Sequence, residues 1–222
     1  MPIARPLDFT RLRTRPLAER SSFAGVPDIL EPFDAPLRAV DATVVAAAGI
    51  AADRIRHARA KDAQVVLMYG AHLLRNGAAL LVTDLMEKGW VTHLATNGAG
   101  TIHDWEFAWH GRSCESVEDN VATGTFGAWE ETGRNIHLAL MTGALRGEGY
   151  GVALGRYIHE DGCELPEPGI LRSLVSQFAG DPMASSAADL LHAQSRNDLT
   201  SGRLEVMHRW KQASILAQAF RL

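Results

Sequence analysis

The sequence predicts an α/β protein built as a Rossmann-like parallel sheet with helices on both faces and left incomplete at its C-terminal end. Three observations predict it. Two apolar runs of strand length, Gln64–Tyr69 and Trp90–Thr96, each end at a glycine-containing turn, as buried parallel strands do. A helical pattern, Leu80–Lys88, lies between them. The second run passes through Asn97-Gly98-Ala99-Gly100 straight into another helical pattern from Ile102 to His110. The order is that of a βαβ unit with the start of the next helix.

Residues 1–36 hold six of the nine prolines. Proline has no N–H to donate and resists helix interiors and central strands, so this segment is expected to be an extended arm preceding the domain at residues 37–222. The arm's apolar residues (Ile3, Leu7, Phe9, Leu12, Leu17, Phe23) fit either a strap laid on a protein surface or a frayed tail. Alanine-rich residues 37–60 read as a helix, with Leu37, Val40, Val44, Val45, Ile50 and Ile55 as its apolar stripe. Gly89 stops the Leu80–Lys88 helix. Residues 111–119 read as loop and short acidic helix. Thr125–Arg146 reads as a long helix capped by Thr125 and closed by Gly147 and Gly149. Cys163–Gly169 is expected to be loop and Ile170–Phe178 helix, and Asp181-Pro182 opens a further helix through Ala193. Leu204–Leu222 reads as an amphipathic helix burying Leu204, Met207, Trp210, Ile215 and Leu216. This yields two strands, fewer than a layered α/β sheet requires.

The bulk properties narrow the setting. The chain has 222 residues, 46% hydrophobic and 22% charged, which suits one domain with an appended arm. A net charge of -4 gives no basic footprint for nucleic acid or an anionic membrane. Cys114 and Cys163 form no CxxC motif. Arg5, Arg11, Arg13, Arg15 and Arg20 interrupt any signal-peptide core, and the longest apolar run, Val44–Ala52, is too short to span a bilayer. A cytoplasmic setting is the expectation.

The chemistry concentrates at residues 95–106. A strand, a glycine-rich turn and a helix N-terminus in succession offer free N–H groups and a positive dipole end to a phosphate or carboxylate. Gly98 and Gly100 permit positive φ and close backbone approach. The spacing is not GxGxxG, so a tight turn that needs small residues for packing is the competing reading. Tyr69-Gly70-Ala71-His72 ends the preceding strand on the same sheet edge, where α/β proteins hold ligands. His72 reads equally as a ligand contact or as an exposed helix-start histidine. His103, Asp104 and Glu106 follow in the first helical turns, where a carboxylate also serves as a cap. His103 and His110 are seven apart, two turns along one face, so no metal site is predicted. Glu130 and Glu131 are neighbours that face different directions and do not form a shared-proton pair. Cys114 has no activating base near it in sequence.

Residues 64–135 resemble the deoxyhypusine synthase family, more closely its bacterial deoxyhypusine-synthase-like members. The resemblance rests on an ordered set: Met68-Tyr69-Gly70-Ala71-His72 running on to Gly77, Asp84-Leu85-Met86-Glu87-Lys88-Gly89, Thr96-Asn97-Gly98-Ala99-Gly100, and His103-Asp104-Trp105-Glu106. It extends through Glu115–Asp119, Thr125-Phe126-Gly127 and Glu130-Glu131-Thr132-Gly133. The family is homotetrameric, binds NAD on Rossmann-like subunits, and moves the aminobutyl group of spermidine to a lysine or another amine. The resemblance implies cofactor contacts at Ala71, His72, Asn97, Gly98, Ala99 and Gly100, and catalytic roles for His103 and Asp104. Ala71 and His72 fall where the family places a Ser-Asn pair. Asn97, Gly98 and Ala99 fall where it places a Thr-Ala-Gly turn. His103 stands where eukaryotic members carry a glutamate. The family's later half, with its further glycine turns, acidic polyamine pocket and imine-forming lysine, has no counterpart in these residues; Lys211 lacks the motif around that lysine. The implied partners are a polyamine, a protein lysine acceptor and further copies of the chain. Two other functions fit the same residues: a noncatalytic nucleotide-binding or assembly module, and an enzyme of another class using His103 with Asp104 or Glu106.

Overall fold

The computed structural model describes residues 12–36, 39–177 and 180–222. Leu37, Phe178 and the arm's first eleven residues lie outside them. The described part of the arm is folded onto its own chain. A single 3-10 turn at Leu17–Glu19 leads into β1 (Ser22–Gly25) and α1 (Val26–Ile29). Leu17 and Val26 are buried, while Leu12 and Phe23 face solvent. α2 (Ala42–Arg59) begins where Asp41 accepts the Thr43 N–H at 2.8 Å and is carried by its alanines. The helix forms as predicted, but its apolar stripe is not buried: Val40, Val44, Val45 and Ile50 are all more than half exposed, and no residue of α2 is buried.

The predicted βαβ unit forms. β2 (Val66–Met68) is followed by α3 (Ala71–Arg75), α4 (Ala79–Glu87) and β3 (His93–Ala95), with Val66 opposite His93 and Met68 opposite Ala95 in parallel register. α4 closes on Lys88 and Gly89, the latter at φ 69°. β2 is not the buried strand expected, since Val66 and Met68 are exposed.

α5 (Gly98–His110) follows β3 directly and is the axis of the molecule. Gly100, Thr101 and every residue from Asp104 to Ala108 are buried. Trp105 and Ala108 enter one apolar cluster and Phe107 enters a second. Gly111 ends α5 at φ 71°, a left-handed value that glycine adopts without steric cost. A Cβ there would also meet the Trp210 ring at 2.5 Å.

Beyond α5 the structure departs from the wide parallel sheet. β4 (Arg112–Glu115) pairs antiparallel with β1, Ser22 opposite Glu115. α6 (Val117–Ala122) follows, capped by Ser116. α7 (Glu130–Ala144) starts after Trp129 rather than at Thr125, because residues 125–129 are held in a turn by Asn120 and Glu115. α8 (Tyr150–His159) has no counterpart among the predicted elements. β5 (Gly162–Leu165) replaces the expected loop: Cys163 and Leu165 point inward and Glu164 outward, an alternation too short to recognise in one dimension. α9 (Pro168–Gln177) and α10 (Pro182–Arg196) match expectation, Asp181 capping the latter through the Met183 N–H. The final segment is not one helix. β6 (Gly202–Glu205) pairs antiparallel with β5, and Ser214 caps a new helix, α11 (Ile215–Arg221). Ile215 and Leu216 are buried as expected, whereas Met207 is exposed.

Among the described residues the protein is therefore mixed α/β and mainly helical, with three two-stranded sheets of which one is parallel. The remaining strands form short antiparallel ribbons against the helices rather than extending β2–β3. The larger apolar cluster joins α5, α7, α8, α9 and α10 with Leu17; the smaller joins α3, α4 and α1 around Phe107 and Ile215. No helix of the described residues is long and apolar enough to cross a membrane.

Candidate functional site

The carboxyl ends of β2 and β3 lie side by side, and each turns into a helix N-terminus, Gly70 before α3 and Asn97 before α5. A Cβ on Gly70 would stand 3.6 Å from the Asn97 side-chain amide, so the two turns are in contact range. Asn97 Oδ1 accepts the Gly100 N–H at 3.0 Å and Asn97 O accepts the Thr101 N–H at 3.1 Å. The Gly98 and Ala99 N–H groups open the helix and have no acceptor within it. Asn97, Gly98 and Ala99 are exposed. Neither Gly98 nor Gly100 adopts positive φ; their value is space. A Cβ at Gly98 would meet nothing within 4 Å, whereas one at Gly100 would stand 2.2 Å from Thr96 Oγ1. The turn is the first turn of α5.

Beside it is a partly enclosed cavity of about 280 Å³. Ala99, Ile102, His103 and Glu106 line it from α5 at helical spacing. Arg20, Arg75, Glu115 and Trp129 add to the wall. At its base is a hydrogen-bonded line. Arg20 holds Glu106 with two bonds, Nη1 to Oε1 at 2.8 Å and Nη2 to Oε2 at 2.7 Å, both side chains being almost wholly buried. Thr132 Oγ1 donates to Glu106 Oε1 at 2.9 Å and Ser113 Oγ to Oε2 at 2.5 Å. His103 Nδ1 lies 2.5 Å from the same Ser113 hydroxyl. Burial pushes the His103 pKa down, with Arg75 and Arg20 acting in the same sense against Glu106 and Glu115. The imidazole is therefore neutral at pH 7.

Glu115 holds the outer wall: it accepts from Asn120 Nδ2 at 2.7 Å, Gly127 N–H at 3.2 Å and Trp129 Nε1 at 2.9 Å. Cys114 is buried, and burial raises its thiol pKa, which leaves it a poor nucleophile.

The sequence-derived residues divide between two faces of α5. His103 and Glu106 share the cavity. Asp104 does not: it is fully buried on the opposite side, where it accepts from the Ser214 hydroxyl and from the Ile215 N–H at 2.7 Å at the start of α11. Burial pushes its pKa up to about 7 against the pull of those bonds. It anchors a helix and has no access to a ligand in the cavity. Ala71 is half-buried at the start of α3, and His72 is exposed and absent from the cavity wall. Glu130 is exposed and pairs with Arg134, while Glu131 fastens the arm by accepting the Leu17 N–H at 2.7 Å. Arg20, Ser113 and Thr132 are site residues to which the sequence reading assigns no role, although Thr132 falls in the Glu130–Gly133 stretch of the resemblance. Ser113 alone carries a local signal, standing seven residues after Glu106. No protein-family model, curated protein or solved structure matches the chain.

Proposed function

We propose that this chain is a deoxyhypusine-synthase-like protein whose βαβ unit is the first part of a Rossmann-like NAD site and whose cavity receives the reacting amine of a polyamine such as spermidine, for transfer of an aminobutyl group to a lysine or another amine. The observation that carries the reading is the meeting of two parallel strand ends and two helix N-termini beside a cavity lined by His103. The residues fit a phosphate-bearing cofactor at one end. Gly98 and Ala99 present unshared N–H groups at an exposed helix start, and Gly98 leaves room for close approach. About 280 Å³ is at the small end of ligand cavities, enough for a reacting group and not for a dinucleotide, so the bulk of NAD would lie across the exposed Asn97–Ala99 turn. NAD supplies a hydride acceptor there.

The chain's own residues handle protons and charge. Amine oxidation requires an unprotonated nitrogen, and the wall sets the Arg20 and Arg75 guanidiniums against the Glu106 and Glu115 carboxylates, which leaves the proton to the histidine. His103 accepts the proton that the nitrogen loses. Glu106, saturated by Arg20, Thr132 and Ser113, fixes the ring from behind. Self-association belongs to the same reading: α2 and β2 expose Val44, Val45, Ile50, Val66 and Met68, an apolar surface of the kind that copies of a chain cover.

One observation favours a second reading. His103 is joined to Glu106 through Ser113 with no cofactor involved, so a cofactor-independent enzyme using His103 and Glu106 fits the same cavity. Calorimetry separates the two. NAD is expected to bind saturably to the purified chain, with spermidine altering the affinity, and Gly98→Val is expected to abolish binding without loss of fold. Absence of NAD binding by the folded chain, or undiminished binding by Gly98→Val, overturns the first reading and leaves the second.

A further inference from the structure

We infer that Ser113 and Glu106 are positioning residues that lock His103 in the tautomer protonated on Nδ1, so that Nε2 is the ring's one available proton acceptor. The inference rests on the reading of His103 as the base of the cavity, and it follows from counting protons. Glu106 meets a guanidinium at both oxygens, 2.8 and 2.7 Å, and is therefore ionised and an acceptor only. The Ser113 hydroxyl lies 2.5 Å from Oε2 and must spend its single proton there. Its second contact, to His103 Nδ1 at 2.5 Å, then has no proton from the serine side. Only an N–H on Nδ1 completes it. A neutral imidazole carries one proton, so Nε2 keeps its lone pair.

Two features make the arrangement rigid. Thr132 fills the remaining approach to Glu106 Oε1 at 2.9 Å, so the carboxylate cannot turn away. Ser113 is fully buried in β4, and the next residue, Cys114, takes φ 71° inside that strand. A left-handed cysteine in a strand is strained, while Ser113 itself stands opposite Ala24 in the regular β1–β4 register, which seats it between α5 and the arm. Burial also excludes Ser113 from touching a substrate, so it acts only through His103.

The test is long-range ¹⁵N–¹H NMR of the full chain labelled at its nine histidines, with His103 assigned by its loss in His103→Gln. The wild-type spectrum at pH 7 is expected to show His103 with a protonated Nδ1 and a bare Nε2. Ser113→Ala is expected to lower the Nδ1–H to Nε2–H ratio about fivefold, the value of one ordinary hydrogen bond, and Ser113→Thr to restore it. A wild-type ring protonated on Nε2, or an unchanged ratio in Ser113→Ala, overturns the inference. The wild-type spectrum decides the tautomer even if Ser113→Ala fails to fold. NAD plays no part in this readout. A chain that shows the Nδ1–H tautomer yet binds no NAD loses the cofactor reading and keeps the positioning pair; the reverse result does the opposite.

Discussion

Replacing either member of the Arg20–Glu106 pair is expected to destabilise the protein far more than replacing both. Their side chains are 2% and 1% exposed and form two charge-assisted bonds. Arg20→Met would leave a buried carboxylate with only the Ser113 and Thr132 hydroxyls for compensation, and Glu106→Gln would leave a buried guanidinium with no carboxylate against it. Breaking a buried pair from one side costs about 3–5 kcal/mol, a large share of the roughly 5–15 kcal/mol that stabilises a domain. The double variant removes both charges, and its glutamine amide at position 106 offers its oxygen to one of the Ser113 and Thr132 hydroxyls and its NH2 group to the other. Its loss is expected to be smaller than either single loss, giving a coupling above about 2 kcal/mol. Urea denaturation at pH 7, read as midpoint shifts at constant slope, measures this cycle. Single losses below about 1 kcal/mol, the ordinary cost of a point substitution, or losses that add in the double variant, would refute the view that one buried ion pair ties the arm to the site.

What the sequence discloses is local. The path from β2 through α4 and β3 into α5 is written in runs of apolar residues, in Gly89 at a helix end and in Asn97 capping α5 with its own side chain. α10 is equally plain, because Asp181 and Pro182 set its first turn within two residues. The antiparallel strands are not, since their partners are remote: Ser22 pairs with Glu115, and Cys163 with Leu204. Four residues carry too few alternations to announce a strand. α2 shows the opposite failure, a helix whose alanines and apolar residues are legible in sequence but which has no buried residue in the described chain. The site divides in the same way. His103 and Glu106 share one face of α5 by helical spacing and could be paired from sequence. Asp104, one residue on from His103, must then face elsewhere, a consequence of the helical step that adjacency in sequence conceals. Arg20 and Thr132 reach Glu106 from 86 and 26 residues away, a separation that no local pattern bridges, even where Thr132 lies in a stretch the resemblance picks out.

Two further outcomes concern helix contacts. Gly155→Ala is expected to cost about 1–3 kcal/mol despite alanine's better helix propensity, because a Cβ at that point of α8 would stand 2.5 Å from the Leu216 carbonyl oxygen of α11; an unchanged Tm would show that the two helices can separate at no cost. The second is the pH dependence set by Asp104. Its pKa is about 7 in the fold against an ordinary 3.8, with burial as the main cause. Between these values the folded chain holds a proton that the unfolded chain has released, so stability falls as pH rises through the window and levels off above it. The difference between these values corresponds to roughly 4 kcal/mol between the two limits. Asp104→Asn keeps an oxygen for the Ile215 N–H and cannot ionise. At pH 4 the variant is expected to be slightly less stable than the wild type, since its amide matches the Ser214 hydroxyl less well than the carboxyl group does. At pH 8 it is expected to be the more stable of the two. The difference between the two stability curves isolates Asp104 from every other titrating group, and a difference that stays flat from pH 4 to 8 would mean that the bonds from Ser214 and Ile215 offset the burial completely and that Asp104 loses its proton in the fold as it does in the unfolded chain.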